Sequence, residues 1–317
     1  MTCAGLIAGL FASSGAAQQQ QQPPQSPVFR GRADVVRVFV TVTDRDGRLV
    51  TTLTQDQFEV RDEGKPQPIV LFDNSPQPIR LVVMLDVSGS MEGNLPLLRQ
   101  ASSELFARLR PDDVARVGTF GDEVVISETF TRDATALLAE LPSMINPEAP
   151  TPLWRALDQA MDTFGGEGDE RKVVLVLSDG KDSGQIGLGQ PVASQAEVID
   201  RARRDDVMIY AIGMRSRRRQ PRMPGMGPGG LEAAMLADLP DPGLARVAEE
   251  TGGGYAEIRP SEELAAAFAR VADELHGQYL LGYAPPKRDG KMHEVGVRVT
   301  TKGLKARAKK SYVAPKQ

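Results

Sequence analysis

Two aspartates each close a wholly apolar run. Asp86 follows LVVML, and Asp179 follows VVLVL and Ser178. An ionised carboxylate at the mouth of a buried strand is costly unless it is paired or bound to a cation. If the two strands are neighbours, both carboxylates converge on one crevice at the carboxyl ends of a sheet, where open α/β sheets bind ligands. Asp86 opens the segment Asp86-Val87-Ser88-Gly89-Ser90, which places two hydroxyls on a strand-to-helix turn. Thr151, just before Pro152, adds a third hydroxyl at the start of another helix. Two carboxylates and three hydroxyls make an all-oxygen set, which suits Mg²⁺, Mn²⁺ or Ca²⁺ rather than zinc. Mg²⁺ keeps several waters, and an incoming carboxylate could replace one of them.

Each residue also has an ordinary reading. Ser before a helix is the usual N-cap. Thr151-Pro152 fits an N-cap with Pro at the first helical position, and Asp179-Gly180 fits a turn. What favours a single site is that all five occur in order, at strand ends and helix starts.

Composition narrows the alternatives. The one cysteine, Cys3, excludes a disulfide within the chain and cysteine-based metal sites. His276 and His293 are the only histidines, too few for a multi-histidine zinc site. A net charge of −4 over 317 residues gives no general reason to expect nucleic acid as a partner. Aromatic residues, at 5%, are too few to expect stacking platforms as the main device.

The elements that must position the five residues follow from hydrophobic pattern. Residues 33–72 read as β structure, with a hairpin signal at Asp46-Gly47, a capped helical turn at Thr54–Gln57, and two strands around a Glu-Gly turn in FEVRDEGKPQPIVLF. Buried strands are predicted at Arg80–Leu85, Lys172–Leu177 and Val207–Ile212. Helices are predicted at Leu95–Arg110, near Thr135, from Pro152 through WRALDQAMDTF, and at Val192–Arg204, Leu244–Thr251 and Glu262–His276. Ala115–Phe120 and Val124–Phe130 read as a hairpin that adds an antiparallel edge strand, and Tyr255–Ile258 as a short strand. Strands alternating with helices imply an α/β fold, a doubly wound, mostly parallel sheet flanked by helices.

The C-terminal segments QYLLGYAP, HEVGVRVT and LKARAKKSYV read as strands of alternating polarity, like the block at 33–72. Both chain ends are therefore expected to build one smaller β domain, with the α/β domain inserted between them. The expected division is a signal-like segment and Gln/Pro linker at 1–32, a β segment at 33–77, the α/β domain at 78–276, and a β segment at 277–317 that pairs with the first. Residues 3–17, CAGLIAGLFASSGAA, are too short to span a bilayer and resemble the apolar part of a secretory signal peptide, although no Lys or Arg precedes Arg30. Residues 18–27 are low-complexity. Export, to the periplasm, cell envelope or medium, is the expectation, with no integral membrane span.

DVSGS resembles the DxSxS signature of von Willebrand factor A domains. APTPLWRAL resembles the segment that carries the family's site threonine, and LSDGKD its later aspartate segment. The resemblance covers residues 78–276. It implies a metal-ion-dependent adhesion site in which Ser88, Ser90 and Thr151 hold a divalent ion directly and Asp86 and Asp179 act partly through water. One departure is Ala149-Pro150, where the family often has glycines; it would stiffen that loop. The flanks FVTVTDRDGRLV, LTQDQFEVRDEGKPQPI and QYLLGYAPPKRDG resemble a bacterial "VWFA-related" group of secreted proteins, in which β segments bracket the A domain.

The function so implied is divalent-cation-dependent protein binding, as an adhesion or scaffold module that recognises an Asp or Glu of a partner protein, and not an enzyme. A structural envelope protein whose metal only stabilises the fold is the alternative. A serine hydrolase using Ser90, Asp179 and His293 lacks the G-x-S-x-G elbow, and a phosphotransferase with Asp86 as nucleophile would want a second Asp at Ser88. The basic run Met214–Arg219 reads either as a solvated loop or, on the metal face, as a guide for acidic partners.

Overall fold

Apolar runs without alternation form strands buried on both faces, and three of these make the middle of the central sheet. The computed structural model describes residues 35–165, 171–179, 181–183, 193–215, 239–258 and 264–316. In chain order the strands of this sheet are β5 (Ile79–Asp86), β6 (Val114–Phe120), β7 (Val124–Ile126), β8 (Arg171–Ser178), β9 (Val207–Met214) and β10 (Tyr255–Ile258). They lie in the order β10-β9-β8-β5-β6-β7. All pairings are parallel except β6 with β7.

Helices cover both faces. Helices α1 (Leu95–Ala107), α2 (Ala134–Ala139) and α6 (Leu264–His276) pack with Leu81, Val83, Leu85 and Leu175 on one face. Helices α3 (Leu153–Asp162), α4 (Gln195–Arg204) and α5 (Gly243–Thr251) pack with Val82, Met84, Val174 and Val176 on the other. This is the doubly wound α/β fold that the alternation of strands and helices predicts. Among the described residues no helix is long and apolar enough to cross a membrane.

The chain leaves β5 through α1 on one face to reach β6, and leaves β8 through α4 on the other face to reach β9. The connections after β5 and β8 therefore part, and their carboxyl ends flank a topological switch point, where such sheets open a crevice.

The remaining strands are β1 (Val36–Thr43), β2 (Phe58–Asp62), β3 (Lys65–Gln67), β4 (Leu71–Asp73), β11 (Tyr279–Tyr283), β12 (Met292–Val299), β13 (Lys305–Arg307) and β14 (Ser311–Val313). They form two four-stranded sheets, ordered β13-β1-β11-β4 and β14-β12-β2-β3. Residues from both chain ends interleave in each, as in Val38↔Leu281 and Val60↔Val297. Their shared core includes Val38, Val40, Val60, Tyr279, Leu281 and Tyr283. Buried Asp62 sits inside it and accepts hydrogen bonds from Tyr283 Oη (2.9 Å) and Tyr312 Oη (2.5 Å), with His293 Nδ1 at 3.1 Å.

Several local expectations are revised. Helix α1 stops at Ala107 rather than Arg110, because the Asp113 carboxylate takes the Arg110 N–H (2.7 Å). The second hairpin strand ends at Ile126; beyond it Ser127 Oγ accepts from Val117 N (3.2 Å), and Phe130 packs against Phe164. FEVRDEGKPQPIVLF holds three strands rather than two, since Pro68 interrupts the second run. LKARAKKSYV divides into β13 and β14, which join different sheets. β11 is buried along its whole length instead of alternating, because it lies between β1 and β4 and Gly282 lets Leu71 and Val35 close over it. Met214 belongs to β9 and is buried, so the basic run begins only at Arg215, which pairs with Glu257 (2.6 Å). The signal-like segment, the Gln/Pro linker, and the rest of the basic run lie outside the described residues.

Candidate functional site

Parallel pairing brings β5 and β8 side by side, with Leu85 opposite Leu177. One step further along, Asp86 faces Ser178, and Ser178 Oγ donates to Asp86 Oδ2 at 2.5 Å. Asp86 Oδ1 accepts from Ser88 N at 2.8 Å, the closing bond of the turn after β5. Ser88 Oγ and Ser90 Oγ are 3.1 Å apart, and Ser90 Oγ donates to Asp179 Oδ1 at 2.6 Å. Asp86, Ser88 and Asp179 are almost fully buried, while Ser90 is partly exposed. Burial drives the Asp86 carboxyl above its ordinary value, and hydrogen bonds from Ser178 and Ser88 only partly offset this.

Gly89 is required by close approach. A Cβ there would stand 1.8 Å from the Pro147 carbonyl oxygen, and Gly89 N donates to Ala149 O at 3.2 Å. The loop before Thr151 is thereby held against the serine turn. Thr151 is buried and is tied through its backbone to the segment after Asp179: its N–H donates to Ser183 Oγ (3.1 Å), and its carbonyl accepts from Ser183 N (2.9 Å). Asp86, Ser88, Ser90 and Asp179 thus form one hydrogen-bonded set, and Thr151 joins it through the loops on both sides.

Sequence reasoning missed Ser178, Asp182, Ser183 and Asp241. Asp182 Oδ1 accepts from Trp154 N at the start of α3 (3.3 Å), and Asp182 N donates to Asp241 Oδ2 (3.2 Å). Asp241 Oδ1 accepts from Gly243 N, the first residue of α5 (2.8 Å). These residues hold the three site loops to one another. Only Ser178 had a usable signal, because two parallel strands that both end in Asp place the residue before one opposite the other.

Both imidazoles lie elsewhere. His276 Nε2 is 2.8 Å from Asp113 Oδ2 at the amino end of β6, the end of the sheet away from Asp86. His293 is buried against Asp62 between the β sheets. Ser90 therefore has no imidazole base.

Among the described residues, no three of His, Cys, Asp and Glu gather as a metal site. The donor set is instead carboxylate and hydroxyl. Two cis ligands of an octahedral ion at about 2.1 Å stand roughly 3 Å apart, which the 3.1 Å separation of the two serine oxygens fits. An all-oxygen set of this kind suits a hard divalent cation.

A doubly wound sheet with an oxygen-rich crevice at its switch point places the chain in the α/β class whose members open such a crevice there. Residues 81–234 match the von Willebrand factor type A domain, so the chain contains a VWA domain. This fold commonly mediates metal-dependent protein binding, and such domains are generally non-enzymatic binding modules. Among solved structures, a von Willebrand factor type A protein from Catenulispora acidiphila is 13% identical, with 90% of this chain and 76% of that chain covered and a TM-score of 0.46. An aerotolerance-related membrane protein from Bacteroides fragilis is 15% identical over 62% of this chain and 98% of that chain, with a TM-score of 0.43. Proximal thread matrix protein 1 from the mussel byssus, in a form with a zinc-occupied MIDAS motif, is 18% identical over 68% of this chain and 50% of that chain, with a TM-score of 0.45. Likenesses at this level carry no functional argument. A search of the curated proteins finds no match.

Proposed function

We propose that the crevice binds one divalent cation, Mg²⁺, Mn²⁺ or Ca²⁺, and through it an acidic residue of a partner protein, making this an exported adhesion or scaffold module of a bacterial VWFA-related type. The observation that carries the reading is the hydroxyl pair Ser88–Ser90, 3.1 Å apart, with Ser90 bonded to Asp179 beside the buried Asp86. In this reading Ser88, Ser90 and Thr151 hold the ion directly. Asp86 and Asp179 supply negative charge and orient the hydroxyls. A bound ion would offer an open position for a carboxylate oxygen. The rim loops 141–151 and 181–183 select the partner, and the two β sheets frame the inserted domain.

The test is capture of partners from the native cell envelope. Binding should vanish with EDTA, return with Mg²⁺ or Mn²⁺, and be lost in a folded Thr151→Ala variant. Binding that survives chelation and the substitution would mean that any metal is structural and that recognition lies elsewhere.

A further inference from the structure

At the opposite end of the sheet, two arginines share one aromatic ring. Arg116 on β6 is opposite Val82, and Arg80 on β5 is opposite Val114. Both side chains therefore leave the same face of the sheet as diagonal neighbours. Arg80 Cζ is 4.3 Å and Arg116 Cζ 4.5 Å from the centroid of the Phe130 ring, which itself stacks on buried Phe164 at 5.9 Å. Arg116 Nη1 donates to Ser127 O at 3.2 Å. Both Nε atoms are buried without a hydrogen-bond partner, whereas the residues as a whole are only partly buried, so the stems are covered and the forked ends reach the surface. Neither arginine forms an ion pair among the described residues. Burial, and then the charge of Arg80, hold Arg116 below its ordinary value.

Two like charges on one ring, with no ion pair among the described residues, are held against their own repulsion. Phe130 attracts each through its π face but does not neutralise either. A divalent oxyanion would compensate both at once, and guanidinium forks match phosphate oxygens in pairs. We propose that Arg80 and Arg116, floored by Phe130, form a binding site for a phosphate group, at the amino end of the sheet and separate from the Asp86–Asp179 crevice. The two positive charges favour a dianion over a monocarboxylate.

Calorimetry on the full chain at pH 8 and constant ionic strength tests this, with inorganic phosphate as the probe and acetate as the single-charge comparison. Phosphate should saturate one site and bind more tightly than acetate. Arg80→Gln and Arg116→Gln should each weaken it about tenfold or more, the effect of losing a charge-assisted hydrogen bond, whereas Asp86→Ala should leave it unchanged. The wild-type melting midpoint should also rise in phosphate relative to chloride, a measurement that needs no variant. No saturable binding by the wild type, no rise in midpoint, equal affinity for acetate, or unchanged affinity in a folded Arg80→Gln/Arg116→Gln protein would each overturn the proposal.

Discussion

The two ends of the central sheet both concentrate charge, but they hold it by different means. At the carboxyl end, Asp86 and Asp179 are surrounded by hydroxyls: Ser178 donates to Asp86 and Ser90 to Asp179. At the amino end, Arg80 and Arg116 lie on Phe130, and buried Arg171 lies over Phe39 at 4.8 Å while donating to Leu275 O. Burial lowers Arg171 to about 10. Asp113, buried at that end, is closed off by His276, Arg110 N and Ile79 N. A hydroxyl can turn from a carboxylate toward a cation without leaving its place, because its hydrogen rotates freely. A carboxylate locked by an imidazole and two backbone amides has no such freedom. On the proposed reading the carboxyl end exchanges partners, whereas the Asp113 cluster keeps them.

The sharpest way to break this contrast is at Asp86. Asp86→Ala should weaken divalent-metal binding by about 100-fold, the upper range for residues that orient ligands, yet leave a folded protein, because it removes a buried charge as well as its bonds. Titration with Mg²⁺ or Mn²⁺ reads the first effect and circular dichroism the second. Unchanged metal affinity would remove Asp86 from the site.

Asp113→Asn should cost about 1–3 kcal/mol, since buried donors lose a charged acceptor, with no change in metal affinity. Burial tends to raise the Asp113 carboxyl, but hydrogen bonds and charge from His276, together with the Arg110 and Ile79 amides, bring it below its ordinary value. A carboxyl lowered by folding binds fewer protons in the native state than in the unfolded one. Its contribution is complete above the ordinary carboxylate value and is lost as pH falls through the lowered one. Urea midpoints measured from neutral to strongly acidic pH should fall less steeply in Asp113→Asn. Equal acid slopes would show that the cluster is not tuned by folding.

A smaller effect is expected at Phe130. Phe130→Leu keeps apolar cover but removes the ring beneath two guanidiniums, at a cost of about 1–2 kcal/mol by chemical denaturation. An unchanged midpoint would mean that the ring only fills space. The smallest effect is expected at Ser178→Ala. It removes one hydroxyl from Asp86 and should cost no more than about 1.5 kcal/mol in the metal-free protein. The cost should shrink when divalent metal is added, because a cation would replace the lost donor. A cost that grows with metal would contradict an exchangeable carboxyl end.

The class of fold was legible along the chain. LVVML, VVLVL and VMIYAI are strands buried on both faces, and the helices between them can only cross over such a sheet. The residue types that gather at the crevice were legible too, because aspartates at the ends of apolar runs carry a desolvation cost wherever they occur. What one sequence could not contain is pairing across distance. Ser178 lies opposite Asp86 only because β5 and β8 are parallel and in that register. Gly89 is irreplaceable only because Pro147 comes to rest against it. Two arginines 36 positions apart in sequence, Arg80 and Arg116, meet on Phe130 only once β6 has docked beside β5. Local pattern expresses which surface each residue must hide. Which charges then become neighbours is decided by strand order and register, and these are set by the packing of the whole domain.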